Sequence, residues 1–133
     1  MKALITGATG FIGSHLADAL VRQGFEVHCI VRDTAKLRFL EGANVSLIKG
    51  DCSDFKSLEN AVKGFDYIFH LAGVTKALRD EDYFAANAVA TGNIINAVIK
   101  NNPDIKRFIH LSSLAAAGPS PDGISRTEDI PSE

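Results

Sequence analysis

The 133-residue sequence carries only two cysteines, Cys29 and Cys52, and neither has a companion at metal-ligand spacing. A disulfide framework is therefore not expected, and two free thiols in a reducing compartment are. No apolar run approaches the roughly 20 residues that a membrane-spanning helix needs. The N-terminus passes from Lys2 straight into "ALIT", too short an apolar run for a secretory leader. There is no excess of one charge either: 14 basic against 16 acidic residues leave −2, with the basic residues scattered. A nucleic-acid or anionic-membrane surface is not expected from that balance. The four histidines share no carboxylate at ligand spacing, so no metal site is expected. What remains is the composition of one soluble, cytoplasmic globular domain, long enough to bury a sizeable core. Tyrosine is also scarce, at Tyr67 and Tyr83 alone, and that scarcity bears on the chemistry below.

What is present is an alternation of short apolar runs with longer helical patterns. "KALIT" (2–6), "EVHCIV" (26–31), "VSLIK" (45–49), "DYIFHLA" (66–72) and "RFIHLS" (107–112) read as five strands. Most are continuously apolar, which suits strands of a parallel sheet covered on both faces. Ile12, Leu16, Ala17, Leu20 and Val21 share one face of a first helix that Gly24 ends. "DFKSLENAVKG" opens on Asp54 as a cap and closes on Gly64, with Leu58 and Val62 facing inward. A further helix from about Asp82 to Lys100 carries Phe84, Ala88, Thr91, Ile95 and Val98 at helical spacing, and Asn102 and Pro103 stop it. A short helix in "TAKLRFLEG" would complete the series. The predicted fold is α/β, a Rossmann-type doubly wound parallel sheet with five recognisable strands. From Ala115 onward the pattern fades into a loop rich in Pro, Gly, Ser and Asp.

"TGATGFIG" (6–13) lies between the first strand and the first helix, and that context gives its glycines a specific reading. One takes the positive φ of a tight turn, a second lets a pyrophosphate approach the main chain, and a third lets helix pack closely on strand. Gly7, Gly10 and Gly13 are assigned to those tasks. The amides at the helix start and the positive end of its dipole then favour phosphate. A mononucleotide P-loop is excluded, because Ser14 and His15 follow where Lys-Ser/Thr would be needed.

The sequence as a whole resembles the extended short-chain dehydrogenase/reductases, which include NAD-dependent epimerases/dehydratases and dihydroflavonol-reductase-like enzymes. "TGATGFIGSHL", "KGDCSD" (49–54), "FHLAG" (69–73), "NAVATGNII" (87–95) and "IHLSSLAAAG" (109–118) resemble five of that family's motifs in order. Ala90 stands where a glycine is common. The resemblance implies that Gly7, Thr9, Gly10, Phe11, Ile12 and Gly13 surround the pyrophosphate, and that Asp51 and Cys52 lie at the adenine. It further implies that Leu71, Ala72 and Gly73 flank the ribose and nicotinamide. Asn87 would organise local backbone or touch cofactor, Ser112 would line the site with its backbone, and Ser113 would be the catalytic hydroxyl.

NAD binders usually place an acid at the end of the second strand. Here Val31 occupies that place, followed by Arg32 and Asp33. Arg32, assisted by Lys36, can pair with the 2′-phosphate of NADP through its planar fork. The alternative is that Arg32 is a solvated charge and Asp33 grips the ribose of NAD. "VRD" resembles the dihydroflavonol-reductase-like branch, which favours NADP.

The family's chemistry also uses a Tyr-x-x-x-Lys pair, the lysine lowering the pKa of the tyrosine acid/base. Tyr67 is followed four residues on by Leu71, and Tyr83 by Asn87, so neither qualifies. The expectation is a cofactor-binding domain, residues 1–133, of a longer homodimeric enzyme, cut before the helix that carries the pair and before the substrate domain. Such a piece would not itself catalyse hydride transfer on a nucleotide-sugar or related hydroxyl or ketone substrate. A non-catalytic NADP-sensing module is the competing reading, against which Ser113 stands. His15, His28, His70 and His110 are read as structural, and "RDEDY" (79–83) as a solvated helix cap. For Cys52, packing or adenine contact is expected in place of reactivity.

Overall fold

The computed structural model describes residues 1–32 and 37–120, together with Gly123, Ser125, Thr127 and Asp129. Along the chain run β1 (Lys2–Thr6), α1 (Phe11–Arg22), β2 (Glu26–Val31), β3 (Ser46–Lys49), α2 (Phe55–Ala61) and β4 (Tyr67–His70). Then come α3 (Asp80–Phe84), a π-helical stretch (Ala85–Val89), α4 (Ala90–Asn101), β5 (Arg107–His110) and a 3-10 turn (Leu114–Ala117). The strands pair in the order β3-β2-β1-β4-β5, every pair parallel. This is the doubly wound sheet the alternation predicts. Its strand order reverses between β1 and β4, where a crevice opens beyond the C-terminal strand ends.

The apolar runs of β1, β2 and β4 are continuous because both sheet faces are covered there, whereas the edge strands β3 and β5 stay largely exposed, against the expectation of cover on both faces. Along β1, Ala3 and Ile5 point toward α1, where Ala17 and Leu20 meet Val27, Cys29 and Val31 of β2. Leu4 points the other way, joining Ile30 and Ile68 against Leu58, Val62, Ile94, Ala97 and Val98 from the α2 and α4 segments. Full burial of a large aliphatic side chain is worth about 1.5–3 kcal/mol. Leu4, Ile5, Leu58, Ile68 and Ile94, all fully buried, therefore set the spacing between layers.

Asp54 caps α2 as predicted, its Oδ1 accepting from the Lys56 amide at 3.0 Å. Three features differ from the sequence reading. Between β2 and β3 the described residues of "TAKLRFLEG" form turns, Leu40 N–H donating to Leu37 O (2.7 Å) and Ala43 N–H to Leu40 O (3.0 Å). Residues 33–36 lie outside the described set. In α1, Ile12 is exposed and Gly13 takes the inward position, because the helix approaches the β1 turn too closely for a larger residue. In the long helical segment, Phe84, Ala88 and Ile95 are exposed, and Ala90, Ile94, Ala97 and Val98 face the core. The alanines let α4 settle close to the sheet and to α2. Among the described residues, no helix is long and apolar enough to cross a membrane, and no cluster of His, Cys, Asp and Glu could hold a metal ion.

Candidate functional site

At the C-terminal ends of β1, β2 and β4 lies a cleft of about 450 Å³. Its near wall is the turn between β1 and α1. Gly7 holds φ +74°, and a Cβ there would sit 2.7 Å from the backbone of Leu71 and Ala72. A Cβ on Gly13 would meet the Gly7 carbonyl oxygen at 2.2 Å, so α1 can start this close to the strand only with glycine. The Gly10 amide donates back to Gly7 O (3.0 Å), and Ser14 N–H donates to Gly10 O (3.0 Å). Gly10 is the N-cap, and no side chain caps the helix. Among the described residues, the amides of Phe11, Ile12 and Gly13 have no hydrogen-bond partner, and the first turn holds no acid. The positive end of the helix dipole is left to whatever occupies the cleft.

The far wall follows β2 and β3. Gly50 N–H donates to Val31 O (3.1 Å), which keeps the loop after β3 against the end of β2. Burial alone would raise the Asp51 carboxyl, but the Ser53 amide and hydroxyl both donate to its Oδ1 at 2.8 Å. With the Arg32 charge nearby, they hold it below the usual carboxylate value. Cys52 is buried, and burial together with the Asp51 charge pushes its thiol up to about 11. It stays protonated, and the Asn93 amide pins its carbonyl at 3.0 Å. Behind the β4 end, Asn87 sits in the π-helical stretch. Its Oδ1 accepts from Val74 N–H (2.9 Å) and its Nδ2 donates to Val74 O (3.0 Å).

The cleft brings together Gly7, Thr9, Gly10, Arg32, Asp51, Cys52, Leu71, Ala72 and Gly73. Phe11 and Ile12 are exposed at the start of α1 and Gly13 is buried beneath the turn; none of the three lines the cleft, and Asn87 stands behind it. Ser112 and Ser113 are exposed beyond β5, with Ser113 Oγ accepting from the Ala115 amide (3.2 Å), and they do not line it either. Lys36 lies outside the described residues. Missed by the sequence reading were Thr6, Gly50 and Ser53, which lie inside recognised motifs, Ile30, Val31, Val74 and Ala90, and Asp82, Ala85 and Ala86, which reach the cleft from α3 and the π stretch. The first three could have been found as the neighbours of Gly7, Asp51 and Cys52 within those motifs. The last three carry no such signal, since "RDEDY" reads locally as a cap.

A dinucleotide suits these residues: unpartnered amides at an uncapped helix start, a bare glycine turn, and a cationic and an anionic side chain on the opposite wall. The family model described as "NAD dependent epimerase/dehydratase family" matches residues 3–133. Sterol demethylase protein B of Methylococcus capsulatus is 32% identical over 94% of this chain and 38% of its own length. Cinnamoyl-CoA reductase 1 of Petunia hybrida is 36% identical over 89% of this chain and 37% of its own. The solved structure of UDP-glucose 4-epimerase from Bifidobacterium longum, in complex with NAD+ and UDP, superposes with a TM-score of 0.81 at 26% identity. That superposition covers all of this chain and 43% of the epimerase. The chain thus spans about two fifths of the length of these relatives. With its glycine turn at the switch point of a parallel sheet and a family match from residue 3 to residue 133, the chain belongs to the NAD-dependent epimerase/dehydratase family.

Proposed function

We propose that this chain is the dinucleotide-binding part of a cytoplasmic oxidoreductase that prefers NADP and interconverts a hydroxyl and a carbonyl on its substrate. The observation carrying this reading is the uncapped start of α1, which presents amides without chain partners beside a cleft that also holds Arg32 and Asp51. In this reading the backbone of Thr9 to Gly13 binds the pyrophosphate, with Phe11 and Ile12 contributing amides and their exposed side chains left outside. Asp51 and Cys52 meet the adenine. Arg32, with Lys36, reads the 2′-phosphate through charge-assisted hydrogen bonds. Leu71, Ala72 and Gly73 border the ribose and nicotinamide, and Asn87 and Ser112 support that border. When bound, the nicotinamide supplies or accepts a hydride at C4.

Ser113 would hold the substrate oxygen between hydroxyl and carbonyl forms. Proton transfer then falls to a tyrosine–lysine pair that neither Tyr67 nor Tyr83 offers. The substrate is a nucleotide-sugar or a related ketone or alcohol, and Arg32 favours the reductase branch. The exposed Phe84, Val89 and Ile99 are the proposed contact of a homodimer.

Calorimetric titration with NADP and NAD tests this reading. Arg32→Ala is expected to weaken NADP by roughly tenfold to a hundredfold, the worth of a charge-assisted hydrogen bond, and NAD far less. Equal loss for the two cofactors removes Arg32 as a phosphate reader, and no binding of either removes the function.

A further inference from the structure

His70 is the one histidine buried completely, at the last residue of β4, directly opposite the last residue of β1, Thr6. These two residues flank the point where the strand order reverses. Both ring nitrogens are engaged: Nδ1 lies 2.7 Å from Thr6 Oγ1, and Nε2 lies 2.9 Å from Thr91 Oγ1 in α4. Each threonine has a second partner. Thr91 Oγ1 is 2.5 Å from Asn87 O, and Thr6 Oγ1 is 3.2 Å from the Ala72 amide.

These contacts have one consistent set of protons. A carbonyl oxygen only accepts, so the Thr91 hydroxyl donates to Asn87 O, and the proton between Thr91 and His70 sits on Nε2. A neutral ring then has a bare Nδ1, to which the Thr6 hydroxyl donates, while Thr6 Oγ1 accepts from Ala72 N–H. The ring is kept neutral first by burial and then by the charge of His110, which stacks on it with centroids 5.3 Å apart. The chain of donors runs from Ala72 through Thr6, His70 and Thr91 to Asn87.

Asn87 in turn grips Val74 with both ends of its side-chain amide, and a Cβ on Gly73 would come within 2.8 Å of its Oδ1. The segment from Ala72 to Val74 is thus held at both ends by one connected network, and it forms an edge of the cleft. We propose that His70, as the neutral Nε2–H tautomer, is a positioning residue that sets the 72–74 edge of the dinucleotide cleft through Thr6, Thr91 and Asn87. The geometric part stands on the hydrogen bonds alone; the link to cofactor rests on the function proposed above.

Two measurements test it. Long-range proton–nitrogen NMR of the imidazoles is expected to show His70 with a pyrrole-type Nε2 and a pyridine-type Nδ1 near neutral pH. An Nδ1–H tautomer or an imidazolium overturns the relay. The second compares Thr91→Val, which removes the hydroxyl at nearly constant shape, with Thr91→Ser, which keeps it. Thr91→Val is expected to speed amide exchange at Val74 about tenfold and to weaken NADP about fivefold, with Ile5 and Cys29 amides still protected. Thr91→Ser restores both. Unchanged exchange at Val74, loss of protection across the core as well, or failure of serine to rescue overturns the positioning role. Should neither NADP nor NAD bind the unaltered protein, the proposed function and the cofactor link fall together while the tautomer result stands. Should the cofactors bind with Thr91→Val behaving as wild type, this inference alone falls.

Discussion

Lowering the pH from about 7 to about 5 is expected to remove about 2 kcal/mol of folding stability through the single buried side chain of His70. Burial, and then the neighbouring His110 charge, depress its pKa from the ordinary 6.5 to about 4. In the unfolded chain the ring is hydrated and takes up a proton readily near 6.5. Between those two values the unfolded state therefore binds more protons than the folded state, and stability falls as pH falls. The loss begins near 6.5, reaches about 2 kcal/mol at about pH 5, and levels off below the folded value at about 3 kcal/mol. The carboxylates held low by their partners act elsewhere. Glu26 (beside His28), Glu59 (beside Lys100) and Asp66 (beside Lys106) stabilise above their ordinary values of 4.5, 4.5 and 3.8, and lose that contribution only as pH falls below them. Urea titrations followed by far-UV circular dichroism at a series of pH values measure the effect. With a slope of roughly 2 kcal/mol per molar urea, the midpoint shifts by about 1 M. His70→Phe supplies the control, since it removes the titrating group whatever it does to absolute stability. A flat wild-type profile between pH 7 and 5, or the same slope in His70→Phe, refutes the reasoning.

Two further outcomes follow from packing and burial. Gly13→Ala is expected to cost about 3 kcal/mol, because its Cβ would overlap the immovable Gly7 carbonyl, whereas Gly92→Ala, with nothing near its Cβ in the interior of α4, gains roughly 0.5–1 kcal/mol. Denaturant melts of the two variants read the difference, and a similar sign for both would contradict the geometry. Both cysteines are free and buried, with their thiols raised to about 12 and about 11, so a thiol reagent at mildly alkaline pH should label neither until the protein unfolds. Rapid labelling of Cys52 in the native protein would show that the cleft wall opens.

Much of the fold was legible because its signals are local. Strands such as "KALIT" and "EVHCIV" carry unbroken apolar stretches, Ala3–Ile5 and Cys29–Val31, and Asp54 announces a helix start by its own hydrogen-bonding chemistry. The glycine string was legible because each of its positions answers a backbone demand, seen in the positive φ of Gly7 and the close approach at Gly13. Helix rotation was harder. Periodicity favours the larger side chains Phe84 and Ile95 as inward-facing, yet the packed helix turns its alanines to the core, since the distance to the sheet is set by the neighbours and not by the helix. In the described part of the helix expected after β2, from Leu37 onward, successive turns take the place of helical bonds and still bury Leu40 and partly bury Leu37. Motif reading placed Asp51 and Gly73 at one cleft, but nothing in "RDEDY" foretold that Asp82 would reach the same space.

From the chain's own order of residues came the parallel sheet, the glycine turn and the family, because backbone conformation and two-sided burial leave marks within a few positions of their cause. Only the packed molecule decided that Thr6, His70, Thr91 and Asn87 form one network, that Asp51 and Arg32 share a wall, and that Ser113 stands apart from the cleft. Thr6 and His70, hydrogen-bonded in the packed molecule, stand 64 residues apart in the chain. No short-range preference encodes such a meeting; it arises when strand register and helix docking bring buried polar groups to the partners they need.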